Sequence, residues 1–333
     1  MRRVEELPAY SVAIRTLGVA GEAFQRELQS LTVQTLSPER VIVYVAEDFE
    51  GDLRKGSVCG EEYVYVQKGM VAQRALRYDE IETDYVLLLD DDVELAPDSA
   101  EKMLNAMIEK EADCVGADTY RHQEGTVWQK LYTLATNLDY PHCDRKWAFK
   151  IHRNGSFSYL WRTPHEEKVL PTQYVAGPCA MWRKDAIQRL RWEDEIWMDR
   201  EAFAYMDDTV ESYKLHVNGG KMFLHYDTGV KNLNAKTASS VYRSKSTRFY
   251  VRAKMGFCVW WRTIYEVEKS CSTAFPAVVA YTAKTLWSIF MSVFAVFFFL
   301  DISVPFHHIR GLVAGWRFVH SEEYRRVGRY ILN

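Results

Sequence analysis

Tyr85-Val86-Leu87-Leu88-Leu89 is a run of large apolar residues that stops at three carboxylates, Asp90-Asp91-Asp92. A short apolar run without polar alternation predicts a strand buried on both faces, as in the middle of a mostly parallel sheet. Ligands of open α/β sheets bind outside the carboxyl ends of such strands. Three adjacent acids at that end repel one another and lose hydration unless a cation sits there. A hard divalent ion holding a phosphorylated ligand is therefore one reading of the cluster. The other is a helix start, which favours acids, because Pro97-Asp98-Ser99 follows.

The flanking pattern supports the sheet. Ser11–Thr16 predicts a first strand, and Gly18 and Gly21 loosen the turn into a helix with Phe24, Leu28 and Leu31 on one face. Ser37-Pro38 breaks that helix before a second strand, Val41–Val45, which runs out at Glu47-Asp48. Tyr63–Val66 predicts a third strand, with Lys68-Gly69 leading into a helix through about Tyr78. Asp98 and Glu101 have the spacing of a capping box for a helix over 99–110. The β-α-β rhythm predicts an α/β fold with a doubly wound, mostly parallel sheet. The pattern loosens from Asp118 to Pro171, where Gly155–Tyr159 suggests an extended or hairpin piece. Strand character returns over Val175–Trp182, a helix follows at 185–191, and Met206-Asp207-Asp208 opens another that closes at Val217–Gly220.

Charge divides the chain. The net charge is −3, yet from Val241 onward Lys and Arg exceed Asp and Glu by eight, which leaves an acidic body and a basic tail. Such a tail predicts an anionic surface or ligand as its partner. Its richness in Trp, Phe and Val argues for a membrane over a nucleic acid, so no nucleic-acid partner is expected. Thr285–Leu300 carries no charge but is shorter than the roughly twenty residues a bilayer-spanning helix needs. A helix lying in a membrane interface and a helix packed on the body both fit, with any membrane contact expected through residues 270–320. The opening residues are charged and lack an apolar signal core, and the six cysteines show no CxxC spacing. A cytoplasmic location is the expectation, with or without attachment to the inner face of the cytoplasmic membrane.

Together, the strand–glycine–helix start, the aspartate cluster and the later acidic pair resemble the family 2 glycosyltransferases of the GT-A fold. The resemblance spans about residues 10–230 and places a catalytic domain at 1–235 and a helical C-terminal region at 236–333. It implies a nucleoside-diphosphate sugar donor, Mg²⁺ or Mn²⁺, and inversion at the anomeric carbon. Asp90-Asp91-Asp92 is similar to the family's DxD motif, which implies that Asp92 and Asp90 serve the ion and the donor, with Asp91 in the donor-binding stretch but pointing outward. A diphosphate leaving group needs its developing charge neutralised, and a carboxylate-held divalent ion does so. Lys68-Gly69 through Arg74 resembles the family's Gly-then-Arg segment, where Gly permits close approach and Arg offers a forked donor to phosphate or base. The family follows that Arg with Asn, where this chain has Ala75. Arg15-Thr16 lies where the family contacts the nucleoside, and Glu47 and Asp48 lie near its base-reading acid.

Met206-Asp207-Asp208-Thr209 resembles the family's acidic pair at a helix start. It implies Asp208 as the base that deprotonates the acceptor hydroxyl, with Asp207 orienting it or contacting the acceptor; a helix start that favours acids is the plain alternative. His225 stands where some relatives supply a third metal ligand, and a structural histidine is the alternative. Trp182 is either a sugar-stacking or a core residue. Arg243, Lys245 and Arg248 suit either a diphosphate or a membrane surface. No Gln-x-x-Arg-Trp follows Asp208, so a single transfer to a glycan or lipid-linked glycan hydroxyl is expected rather than polymerisation. Two rival readings are a sugar-phosphate nucleotidyltransferase, for which the basic Gly-rich loop after the first strand is missing, and a catalytically dead glycan-binding relative.

Overall fold

The computed structural model describes residues 7–119, 146–160, 167–201, 203–233, 245–270, 273–299 and 301–332. Its first half alternates strand and helix: β1 (Tyr10–Thr16), α1 (Glu22–Thr32), β2 (Val41–Ala46), β3 (Glu62–Val66), β4 (Tyr85–Asp90), the short β5 (Val93–Glu94), α2 (Ser99–Glu109) and β6 (Cys114–Ala117). The hairpin β7 (Phe149–Ile151) and β8 (Phe157–Tyr159) follows, then β9 (Val169–Pro171), β10 (Cys179–Arg183) and α3 (Lys184–Leu190). A 3-10 helix at Trp192–Arg200 leads to α4 (Asp207–Val217), β11 (Met222–His225) and β12 (Lys231–Asn232). The C-terminal part is helical: α5 (Lys245–Trp260), a π-helical stretch at Trp261–Tyr265, α6 (Glu266–Ser270), α7 (Ala274–Phe299), α8 (Val304–Val319) and α9 (Glu322–Arg325).

Eight strands form the main sheet in the order β3-β2-β1-β4-β10-β6-β11-β9. β1, β2, β3 and β4 run parallel, as do β6 and β11, while β10 runs antiparallel between β4 and β6. The sheet is thus mostly parallel, as the sequence predicts. Successive side chains of a strand point to opposite faces, and the core divides accordingly. Leu87 and Leu89 pack with Val12 and Ile14 under α1 and α2, against Phe24, Leu28, Met103 and Leu104. Val86 and Leu88 pack with Ala13, Ile42 and Trp182 on the other side, against Ile187, Leu190 and Leu215. Both faces are covered, which is why β1, β2 and β4 read as apolar runs instead of alternating.

Three local expectations give way. The stretch after Gly69 is a run of turns and not a helix through Tyr78. The Asp199 carboxylate takes the Val71 and Ala72 amides at 2.9 and 2.7 Å, and Gln73 is tied to the Thr16 and Tyr44 carbonyls. Strand β10 begins only at Cys179, because Val175–Pro178 crosses below the carboxyl ends of β1 and β4, where Asp90 N donates to Pro178 O. Asp98 makes no side-chain cap, and Glu101 instead accepts from Thr35 Oγ1. Helix α2 is held by its apolar face, not by a capping box.

The C-terminal helices share a core with the sheet domain: Val71, Met198, Phe203 and Val210 pack with Val251, Met255, Val259, Val319 and Tyr330. A buried ion cluster fastens the two. Lys214 of α4 meets Glu195 at 3.0 Å, and Arg262 meets the same carboxylate at 2.7 Å. The chain's end returns to α4, with Tyr330 OH donating to Val210 O and the Leu332 amide to Asn218 Oδ1. Cys59, Cys114, Cys179 and Cys258 are free thiols among the described residues.

Candidate active site

The pleat of β1 and β4 decides where the aspartates go. Arg15 and Asp90 are register partners on adjacent parallel strands, and both continue the row of Ala13 and Leu88. They therefore face the α4 side of the sheet. Thr16 and Asp91, one residue further along, belong to the opposite side, toward α1. A one-residue step along a strand reverses the face, so the three acids are sorted rather than clustered.

On the α4 side a buried guanidinium collects three carboxylates. Arg74 Nη1 donates to Asp207 Oδ2 at 2.5 Å and to Asp208 Oδ1, and its Nη2 reaches Asp90 Oδ2 at 3.3 Å. Arg15 donates to the other Asp90 oxygen at 2.9 Å and to Gly177 O at 2.7 Å. Burial works against charge on Asp90, but the two arginines outweigh it and hold its carboxyl below the usual range. Asp207 is buried and is pushed up to about 7 by that burial; Arg74 opposes the rise and the Asp208 charge adds to it. Glu211, one turn along α4, is pushed up to about 8, again by burial, with Arg74 opposing and Asp207 adding. Its Oε1 has no hydrogen-bond partner.

Backbone geometry sets this arrangement. Met206, just before α4, is left-handed at φ 66°, an uncommon conformation for a residue with a side chain, and it aims Asp207 and Asp208 inward. Gly177 lies so close that a Cβ there would come within 2.3 Å of Arg74 Nη2 and 2.4 Å of Asp208 Oδ1. Of the α4 pair Asp208 is the more open, with 19% of its side chain exposed against 9% for Asp207. Tyr174 OH stands 3.5 Å from its second oxygen.

On the α1 side Asp91 accepts from Thr16 Oγ1. It does not point outward, contrary to the sequence expectation. Burial pushes it up to about 6; the Thr16 hydrogen bond opposes this, and the charges of Asp90 and Asp92 add to it. Glu27 of α1 is fully buried behind this pair and is held well above the carboxylate range by burial and by Asp91. Glu27, Asp199 and Glu211 are groups the sequence reading missed. Glu27 had a legible signal, since it is an acid on the Phe24–Leu28–Leu31 face of α1.

The remaining predicted residues separate into two sets. Glu47, Asp48 and Lys68 are exposed just past the β2 and β3 ends, with Lys68 Nζ 2.6 Å from Asp48. Gly69 does admit a close approach, but from Asp199, whose Oδ2 lies 2.3 Å from where a Cβ would sit. Trp182 is a core residue, edge-on to Trp192 at 4.9 Å. Lys245 and Arg248 open α5, and Arg243 lies outside the described residues.

The expected metal set Asp90, Asp92 and His225 is not brought together, and no group of three His, Cys, Asp or Glu side chains forms a metal cage among the described residues. His225 ends β11, which β10 and β6 separate from β4. Its Nδ1 accepts from the Asp227 amide, and burial lowers it to about 4, with Asp227, Lys102 and Lys168 as its charged surroundings. Asp90 already faces two guanidiniums. Asp91, which accepts from Thr16, and Asp92 are adjacent hard oxygen donors at the strand end, and the raised Asp91 is the kind of group a cation relieves. Two carboxylates fit an ion that takes its other ligands from phosphate and water.

Comparison with known proteins adds a family. Residues 66–191 match the family described as Glycosyl transferase family 2. No curated protein matches the chain. Among solved structures, the chain is similar to a mannosyltransferase, PcManGT from Pyrobaculum calidifontis, in complex with GDP-Man and Mn²⁺: 13% identity, TM-score 0.49, covering 95% of this chain and 89% of that one. It is also similar to GalNAc-T7 with UDP, GalNAc and Mn²⁺, at 12% identity and TM-score 0.49, covering 80% of this chain and 55% of that one.

Proposed function

We propose that this chain, whose residues 66–191 match Glycosyl transferase family 2, transfers one sugar, with inversion, from a nucleoside-diphosphate sugar to a hydroxyl of a glycan or lipid-linked glycan at a membrane face. The observation that carries this reading is the gathering of Asp207, Asp208 and Asp90 on one buried arginine at the carboxyl end of the sheet.

In this reading Asp208 is the general base. The acceptor oxygen forms a bond to the anomeric carbon as the carbon–oxygen bond to the diphosphate breaks on the opposite face, and the hydroxyl proton passes to Asp208. Asp207 shares Arg74 with Asp208 and so positions the base. Arg15 and Arg74 fix Asp90, which is thereby left as an oriented acceptor for donor hydroxyls. Asp91 and Asp92 would hold Mg²⁺ or Mn²⁺, which when bound supplies charge neutralisation for the departing diphosphate. Exposed Glu47, Asp48 and Lys68 form the rim where the nucleoside is expected, beside Thr16.

The test is a thermal-shift panel of nucleoside-diphosphate sugars with and without Mn²⁺. A ligand that binds only the folded state raises the melting temperature. One sugar nucleotide should do so in a Mn²⁺-dependent way and be consumed when an acceptor is added. Stabilisation only by a sugar 1-phosphate with a nucleoside triphosphate would overturn transfer in favour of nucleotidyl transfer.

A further inference from the structure

Helix α7 is inside out for a protein surrounded by water. Its buried or half-buried side carries Ala277, Tyr281, Lys284 and Ser292, with Tyr281 stacked on Trp260 at 4.0 Å. Its outward side carries Phe275, Val279, Leu286, Phe290 and Val293, one stripe at helical spacing, with Phe275 79% exposed. At 26 residues the helix is about 39 Å long at ~1.5 Å per residue. Its Ala274–Phe294 stretch is long and apolar enough to cross a membrane, and only 11% of its most apolar part is buried, so it is not a core helix.

Helix α8 continues the surface and adds charge. Val304, Gly311, Gly315 and Val319 form its buried side. A Cβ on Gly311 would meet Tyr250 O at 2.3 Å, so the two glycines let α8 lie directly on α5. The opposite stripe is Phe306, Ile309, Val313 and Trp316, all exposed, with exposed Ile302 just before the helix. Arg310 and Arg317, two turns apart, are exposed along its edge, and Arg325, Arg326 and Arg329 are exposed just beyond. An apolar stripe with Trp, edged by arginine, matches a leaflet whose acyl region lies under anionic headgroups.

We infer that the outward stripes of α7 and α8 form one docking surface for an anionic phospholipid membrane, with the apolar side chains in the acyl region and Arg310 and Arg317 at the headgroup phosphates. The occupant is a membrane and not a second copy, because a face shared between copies does not account for the arginines along its edge. The close α5–α8 packing and the Glu195–Lys214–Arg262 cluster make this surface rigid with the catalytic body. An acceptor carried on a lipid is thereby presented at a fixed height above the leaflet.

The experiment is flotation of the full chain with vesicles of phosphatidylcholine alone or with added phosphatidylglycerol. It is read without turnover, so it stands or falls apart from the transfer reaction. Wild-type protein should float with the anionic vesicles, and R310Q/R317Q should bind them about twenty-five-fold more weakly, since each basic group is worth roughly five-fold at such a surface. The variant L286Q/F290Q/F306Q should stay with the soluble fraction while melting at the wild-type temperature, because these positions touch solvent. Wild-type protein that fails to float, equal binding to both vesicle types, or wild-type binding by either variant overturns the assignment. So does a stable dimer that the triple variant splits.

Discussion

Arg74 donates to the carboxylate of Asp208, so the acid proposed as the general base is an ion-pair partner of a buried guanidinium. Asp207 competes for the same guanidinium at 2.5 Å. The protonation state of Asp207 therefore governs how firmly Arg74 holds its neighbour, which under the proposed mechanism makes the transfer rate sensitive to pH through Asp207.

Asp207 is held at about 7. Below that pH it is neutral and leaves Arg74 to Asp208 and Asp90; above it the guanidinium is shared. The rate of transfer should rise as pH passes about 7. D207N should be slower above that pH and flat across it, as a pH profile of kcat/KM for both proteins will show. A D207N profile that keeps the wild-type limb contradicts the role.

Glu211 is buried with a carboxyl raised to about 8 from its ordinary 4.5. A group that binds its proton more tightly when folded stabilises the fold fully below its unfolded value and loses that contribution as pH rises through the folded value. Wild-type stability should fall between about pH 4.5 and 8. E211Q keeps the shape without the charge and should be more stable than wild type at pH 9 by on the order of 1–3 kcal/mol. Urea midpoints at pH 5 and pH 9 check the sign.

Gly177 to Ala places a methyl group on the Arg74 and Asp208 termini. Both side chains must shift, so transfer should drop by at least about ten-fold, while overpacking costs about 1–3 kcal/mol of stability. Kinetics and a melting curve on the same preparation separate the two effects.

Arg262 to Met breaks the buried cluster and leaves Glu195 with the Lys214 ion pair and the Trp197 indole N–H. Removing one partner of a buried charge pair costs about 3–5 kcal/mol. A loss of that size in the unfolding free energy is expected, and an unchanged midpoint would mean that the tail and body are held by packing alone.

The sheet was legible in the sequence because its strands are buried on both faces, which leaves Val41–Val45 and Val86–Leu89 as apolar runs with sharp ends. The acids at those ends were legible for the same reason. What they touch was not. Whether Asp90 or Asp91 meets Arg15 depends on the register of β1 against β4, and the sequence does not carry that pairing. The Gly69–Tyr78 segment reads as a helix because its apolar spacing is helical, but the competing partner, Asp199, is far away in the chain. Helix α7 shows the converse limit. Its uncharged stretch is plain, yet only packing reveals that Lys284 and Ser292 lie on the inner side and Phe290 on the outer.

The most direct test of the account is D208N, assayed for sugar transfer and, on the same protein, for donor binding by thermal shift. Transfer should fall by at least about a hundred-fold while the donor still raises the melting temperature as it does for wild type. D208N that transfers at the wild-type rate would contradict the role of Asp208 as the base.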